Sequence, residues 1–499
     1  MSQTNKIKIE NIPEGVLNVV KTIQDGGFEA YLVGGCVRDL ILDRTPKDWD
    51  ITTNATPEEI QGLFIKTVYE NAFGTVAVID ENAIDPSLKV IEVTPFRLES
   101  EYADNRHPEK VLFSKDISDD LKRRDFTINA VAYDPYKGHL IDQFGGLDDI
   151  KDMVVRTVGE SSERFKEDGL RILRAIRFAT ELNFTIDHET ILGITTHKKL
   201  LENISWERKR DEFTKIIMSP DPIVGIGLMQ KLGVLEYVVP ELLEGVGCEQ
   251  KGEHIYDVFE HILHALGHAG EKKWPLVIRL SALFHDIGKP RTRRWDATKA
   301  GGKGKYTFYG HEVVGAKMTQ KIMERLKYPK DLSNLVVKFV RYHMFFSDTE
   351  TITLSAVRRT IANVGKENIW DLMEVRECDR VGMKKKEAPY RLRKYHAMIE
   401  EALRDPISVS QLKVDGKILM EELNIKAGPR MGWMLHALLE EVLDDPTKNT
   451  RGYLDKRVGE LDKLSDTELK TLGEKAKQTK EELEESEISK LHEKHGVKK

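Results

Sequence analysis

Asp48 and Asp50, two residues apart, are the side chains in this sequence best suited to hold divalent cations. They flank the start of Trp49-Asp-Ile-Thr-Thr, a β-prone run, and residues i and i+2 of a strand project from one face. Like charges placed that close repel unless a cation stands between them. A pair of divalent ions about 3.5–4 Å apart is what such carboxylates hold in phosphoryl-type transfer. Taken alone, D-x-D describes an exposed loop pair equally well. The preceding residues separate the two readings. Tyr31-Leu-Val predicts a strand that stops at Gly34-Gly35, and Val37 to Leu42 predicts a short helix. Glycines at that junction let backbone N–H groups approach a ligand, and the helix N-terminus favours phosphate. Arg38 in the first helical turn adds a forked, permanent cation. Glu92, on the strand-like run KVIEVTPFR (89–97), is a candidate third carboxylate. An ordinary edge-strand glutamate is the alternative.

Other constellations follow along the chain. Arg123-Arg124-Asp125-Phe126-Thr127 with Asn129 offers cations for phosphate and polar groups for ribose hydroxyls. An isolated R-R-D is equally a solvated turn with a helix cap. Arg171, Arg174 and Arg177 recur along one stripe of a predicted helix. Asp168 neighbours Arg171 there, and as a surface pair the two would contribute under about 1 kcal/mol. Between 241 and 400 lie His261, His285-Asp286, His311, His343 and Asp379. Imidazole with carboxylate suits Mg²⁺ or a divalent transition metal, with bound water as nucleophile.

The run GGCVRDLILDRTPKDWDITTNATPEEI resembles the first motif of the polymerase-β-type nucleotidyltransferases. More narrowly, it resembles the class II tRNA nucleotidyltransferase (CCA-adding) and bacterial poly(A) polymerase family. The likeness continues to about residue 220 and more loosely to about 455. RRDFTINA matches the second motif. Asp142 with Gly145-Gly146 matches the third, a hinge in that family. Glu167-Asp168-Gly169-Leu170-Arg171 matches EDxxR, and Glu207-Arg208 matches the fifth motif, with a structural role. Thr94-Pro95 departs from the two threonines often found there.

The resemblance implies that Asp48 and Asp50 hold two Mg²⁺ ions with Glu92 beside them. Gly34, Gly35 and Arg38 would cradle a triphosphate, and Arg124, Asp125 and Asn129 would bind ribose and phosphate. Asp168 and Arg171 would select the base, with Arg174 and Arg177 on the same nucleotide-binding stripe. Cytosine and adenine both show an amino donor beside a ring-nitrogen acceptor. A carboxylate and a guanidinium can pair with that order, whereas uracil and guanine present the reverse. The expected reaction is addition of CCA to the tRNA 3′ acceptor end from CTP and ATP, without a nucleic-acid template. Neck and C-terminal helices would hold the tRNA by shape and phosphates.

Rival expectations stay open. A poly(A) polymerase shares the head motifs, but Phe73-Gly-Thr-Val stands where its G-R-R-F-type run is expected. A partial CC- or A-adding enzyme would be set by the polar loop at 99–113 and by pocket geometry. From another class, the order H…HD…H…H…D resembles the HD phosphohydrolase superfamily. That likeness implies a site for Mg²⁺, Ni²⁺ or Mn²⁺ and action on 2′,3′-cyclic phosphates, 2′-nucleotides or phosphate esters, with the head binding RNA.

These residues need several elements to position them, and 499 residues suffice for three or more cored domains. The expected fold class is α+β. A polymerase-β-like head (1–155) is followed by an all-α neck (156–240), HD domain (241–400), C-terminal arm (401–455) and charged tail (456–499). The insert at 297–306 is Gly/Lys-rich. In the arm, Trp433 reads as core, and Lys426 and Arg430 flank a Gly-Pro turn as candidate RNA contacts. Beyond Tyr453 the dense Lys/Glu text reads as a solvated helix or a disordered segment. With a formal net charge of −6, RNA binding must come from local basic faces. Cys36, Cys248 and Cys378 lie far apart without C-x-x-C spacing, which predicts a reducing, cytoplasmic setting. No run of about 20 apolar residues predicts a membrane span. The residues do not fix an oligomeric state.

Overall fold

Strand-forming runs between Ala30 and Asp142 assemble into one seven-stranded sheet in the computed structural model. The structure describes residues 7–69, 74–81, 83, 85, 88–99, 111–250, 255–297, 304–344, 352–381 and 389–475. Phe73, most of the 99–113 loop, the centre of the 297–306 insert and the tail beyond 475 lie outside them. The chain divides into two compact units, Met1–Val238 and Val239–Lys499.

In the first unit the strands are β1 (Ala30–Val33), β2 (Asp50–Thr53), β3 (Thr67–Tyr69), β4 (Val76–Ile79) and β5 (Val90–Pro95). A separate pair, β6 (Arg97–Glu99) and β7 (Val111–Phe113), follows, then β8 (Val131–Asp134) and β9 (His139–Asp142). The main sheet runs β3-β4-β5-β2-β1-β8-β9, with β2 and β5 parallel and the other pairs antiparallel. Central β1 buries Ala30, Leu32 and Val33, as a strand covered on both faces must. The helix Gly35–Ile41 follows at once, because Gly34 turns the chain at φ +81°, where other residues are strained. Asp48, expected on the strand, instead sits in a bend before it. Pairing with β5 begins only at Trp49, whose carbonyl accepts from the Glu92 N–H at 3.3 Å. Asp142 caps the helix Gly146–Lys151, accepting from the Gly146 and Leu147 N–H groups at 2.9 Å each.

Helices then take over, from Ser161–Glu167 and Leu170–Leu182 to Trp206–Met218 and Pro222–Lys231. A short parallel ladder, β10 (Val154–Val155) with β11 (Thr185–Ile186), interrupts the expected all-helical neck. Leu170–Leu182 buries Ile172, Leu173, Ile176 and Ala179 completely or nearly so, which makes it the spine of this region.

In the second unit, Val258–Glu271 opens with a capping box between Asp257 and Glu260. Helices Leu276–Phe284 and Ile369–Asp379 pack against it, Lys330–Tyr342 packs on Leu276–Phe284, and His311–Arg325 packs on Lys330–Tyr342. A hairpin, β12 (Arg294–Asp296) with β13 (Lys305–Thr307), stands in the chain between Leu276–Phe284 and His311–Arg325. One hydrophobic core runs from Ala265 through Phe339 and Tyr395 to Leu469, with Trp433 packed against it. It joins the regions expected on either side of 400. Residues 456–475, placed with the charged tail, belong to helices Arg451–Leu461 and Asp466–Lys475, which bury Val458, Leu461 and Leu469. Three buried apolar residues among many charges were too sparse for periodicity to register. The three cysteines are free and buried. Among the described residues, no helix is long and apolar enough to cross a membrane.

Candidate active site

A cavity of about 600 Å³ opens in the first unit where β1, β2 and the Leu170–Leu182 helix converge. Gly34, Gly35, Arg38, Asp48 and Asp50 line it with Arg124, Asp125, Asn129, Arg174 and Arg177. Ten residues predicted from four separated motifs therefore share one wall. Glu92 is absent from the lining but is the in-register partner of Asp50 across β2 and β5.

The aspartates need positive charge. Burial is the largest influence on Asp50 and pushes its carboxyl up to about 6. Arg124 pulls it down, while Asp48 and Glu92 push it up again. A divalent cation would relieve that repulsion more fully than a single guanidinium, so the donor set fits such an ion. Gly34 makes the approach possible. A Cβ there would lie 3.0 Å from Arg124 Nη1 and 3.5 Å from Asp50 Oδ2.

A chain of polar contacts fixes the cations. Arg38 donates from Nη1 to Asn129 Oδ1 (2.7 Å) and from Nε and Nη2 to Asp39 Oδ1 (2.9 and 2.8 Å). Asn129 Nδ2 donates to Asp125 Oδ1 at 3.2 Å, and Arg174 Nε donates to Asp125 Oδ2 at 2.7 Å. Burial raises the Asp125 pKa, but Arg174 and then Arg171 outweigh it and hold the value at about 2.

Sequence reasoning missed three supports. The Phe178 ring carries three guanidinium groups, with Arg177, Arg38 and Arg174 at 4.2, 5.3 and 5.4 Å from its centroid. Lys215, from a later helix, also lines the cavity. Asp120 is fully buried and accepts from Arg123 Nε (2.9 Å) and Arg124 Nη2 (3.0 Å). Burial opposes its charge, yet the two arginines win and lower its pKa. Only its place three and four residues before Arg123-Arg124 hinted at this.

Asp168 and Arg171 stand outside the cavity lining and hold other partners. Asp168 accepts from Arg208 Nη2 at 2.6 Å and from the Leu170 N–H at 3.0 Å. Arg171 pairs with Glu167 and donates to the Arg164 and Arg123 carbonyls, both at 3.1 Å. Arg208 is therefore tied directly to the expected base reader.

The second unit gathers all six predicted metal-type residues. His261, His285, Asp286 and Asp379 form one buried group, and Asp286, His311 and His343 form another. His285, His311 and His343 each set Nδ1 2.7 Å from a backbone carbonyl, so Nδ1 donates and Nε2 faces inward. Nε2 atoms then approach one another, 3.2 Å between His261 and His285 and 3.3 Å between His311 and His343. Inward lone pairs that close, fixed from behind by carbonyls, suit a shared cation. Burial disfavours a charged His285, but Asp286 and Asp379 raise its pKa to about 10. The cluster thus draws positive charge, and the donor set fits a divalent metal.

Comparison with known proteins decides the family. Residues 30–156 match the Poly A polymerase head domain. Residues 183–245 match the probable RNA and SrmB-binding site of polymerase A, and 252–384 match the HD domain. A Streptococcus uberis CCA-adding enzyme is 31% identical over 457 residues, spanning 90% of this chain and 98% of that one. The chain belongs to the CCA-adding enzyme family. A Lactobacillus johnsonii CCA-adding enzyme is 44% identical over 236 residues, 46% of this chain and 58% of its own. The Bacillus stearothermophilus CCA-adding enzyme, solved in complex with CTP, superposes with a TM-score of 0.67 at 26% identity. That alignment covers 90% of this chain and 98% of the other. The family's nucleotidyltransferase head and helical HD domain are both present, and both domain types imply use of a divalent metal.

Proposed function

We propose that this chain adds C, C and A to the 3′ end of tRNA from CTP and ATP, without a nucleic-acid template. The observation that carries the reading is the single cavity that joins Asp48 and Asp50 to the Gly34-Gly35 turn and to five arginines. The RNA 3′-oxygen attacks the α-phosphorus, the bond to the bridging oxygen breaks, pyrophosphate leaves, and the hydroxyl proton passes to water. Asp48 and Asp50, with Glu92 alongside, would hold two Mg²⁺ ions. When bound, the ions supply positive charge to the attacking and leaving oxygens. Gly34 and Gly35 leave room for the triphosphate against the helix N-terminus, while Arg38 and Arg124 balance its charge. At the ribose the Asn129 amide can donate and the Asp125 carboxylate accepts from a hydroxyl, while Arg174 keeps Asp125 ionised.

Asp168 and Arg171 read the base, exchanging Arg208 and Glu167 for the nucleotide edge as they do so. The donor-acceptor order common to cytosine and adenine supports this role. Buried free cysteines support a cytoplasmic setting. The test is a nucleotide-omission assay on tRNA lacking its end. CTP alone should give two additions, ATP alone almost none, and both together three.

The buried histidine cluster supports a second activity, hydrolysis of nucleotide phosphate esters by water. His261, His285, Asp286, His311, His343 and Asp379 would hold a divalent metal, which would supply positive charge to the phosphate. On a 2′,3′-cyclic phosphate, water adds to phosphorus and one ring P–O bond breaks, leaving a monoester.

A further inference from the structure

The β12–β13 hairpin lies in the chain between Leu276–Phe284 and His311–Arg325, and it combines buried Asp296 and Thr307 with an exposed aromatic side chain. Trp295 is 48% exposed although it is the largest side chain on the hairpin. It faces Tyr306 directly across the strands, edge-on, with ring centroids 4.9 Å apart. Gly304 lies beneath it at φ +67°, where a Cβ would come within 2.3 Å of the indole ring. Arg293 covers the Tyr306 ring at 3.7 Å. The indole is thus braced by backbone and by a second ring, so its exposed surface is offered in a fixed orientation.

The same aromatic line leads to the metal-competent cluster. Phe308 follows Tyr306 by two residues, and Lys289 Nζ lies 5.8 Å from the Phe308 ring centroid. The Phe308 carbonyl accepts from His311 Nδ1 at 2.7 Å, which ties the hairpin base to one predicted ligand. Buried Lys289 reaches Asp286 Oδ2 at 2.5 Å and Gln250 Oε1 at 2.6 Å. Aromatic faces interleaved with Arg and Lys are the arrangement that holds single-stranded nucleic acid, bases by stacking and phosphates by charge.

We infer that the hairpin is a docking platform for a single-stranded RNA end, stacking a base on Trp295 and presenting the terminal phosphate toward Lys289 and the histidine cluster. The inference deepens the phosphohydrolase reading by narrowing its substrate class to a single-stranded RNA terminus, and it rests on that reading only for the chemistry.

The test uses the full chain and a short oligouridylate with a 3′-terminal 4-thiouridine closed as a 2′,3′-cyclic phosphate. After irradiation, cross-links should map to residues 294–308, and Trp295→Ala should cut their yield at least about fivefold while Trp295→Phe keeps most of it. Cross-links that map only elsewhere, or a yield untouched by Trp295→Ala, would overturn the docking surface. In parallel, Trp295→Ala should slow hydrolysis of the cyclic phosphate about tenfold while hydrolysis of glycerol 1,2-cyclic phosphate, which has no aromatic ring to stack, falls by less than about twofold. Equal loss on both substrates would overturn base stacking. Should the wild-type chain hydrolyse neither, the phosphohydrolase reading fails, while the cross-link map still decides the platform.

Discussion

A carboxylate whose ordinary pKa is near 3.8 and whose folded value is about 6 is unhappy as an anion, and Asp50 is in that position. Its contribution to stability is present below about 3.8 and lost as pH rises through about 6, because folding favours the protonated form. In chelator, Asp50→Asn should therefore melt higher than wild type at pH 7, by an amount equivalent to about 1–3 kcal/mol, and the gap should close near pH 4. The same variant should lose nucleotide incorporation by about 10³-fold or more. A side chain retained at a stability cost is what a cation site requires, and melting curves at the two pH values measure that cost. Asp120 makes a complementary case, since it does not itself line the cavity yet holds two arginines, one of which does. Asp120→Asn should raise the KM for CTP and ATP about 5- to 20-fold with a smaller change in kcat. Steady-state kinetics decide it, and an equal fall in kcat would assign Asp120 to the transition state instead.

Elements explain why some of this was readable and some was not. β1, its Gly-Gly turn and the following helix are local, so apolar runs, glycines and one arginine in sequence order were sufficient. The helical stripe of Arg174 and Arg177 was legible for the same reason. Asp48 was misplaced on the strand because where a β2 ladder starts depends on β5, some 40 residues later. Arg208 was read as structural because its pairing with Asp168 closes across helices that periodicity cannot orient. Phe178 drew no reading from the sequence, because only the folded chain brings three guanidinium groups around it. Two substitutions probe this scale. Gly34→Ala puts a methyl against Arg124 and Asp50 at a left-handed position, and should cost about 1–2 kcal/mol together with most of the activity. Arg208→Ala leaves Asp168 without its 2.6 Å partner. It should relax discrimination against UTP and GTP about tenfold, as misincorporation assays would reveal.

At the scale of the whole molecule, each of the two compact units carries its own buried acidic focus, the first for CCA addition and the second for the proposed phosphohydrolysis. They should separate cleanly. Asp286→Ala should abolish phosphohydrolysis and leave CCA addition within about twofold of wild type, while Asp50→Asn should do the reverse. Sequence order placed both motif sets. It did not reveal that the second unit's core continues to Leu469, because the burying residues are scattered among charges.

The most direct measurement is a single-nucleotide gel assay on tRNA lacking its CCA end, run with wild type, Asp48→Asn and Asp50→Asn. Wild type given CTP and ATP should add three residues and stop, with no adenylate added until two cytidylates are in place, and both variants should leave the tRNA unextended. Open-ended adenylate addition that needs no CTP, or extension by either variant at the wild-type rate, would contradict the account.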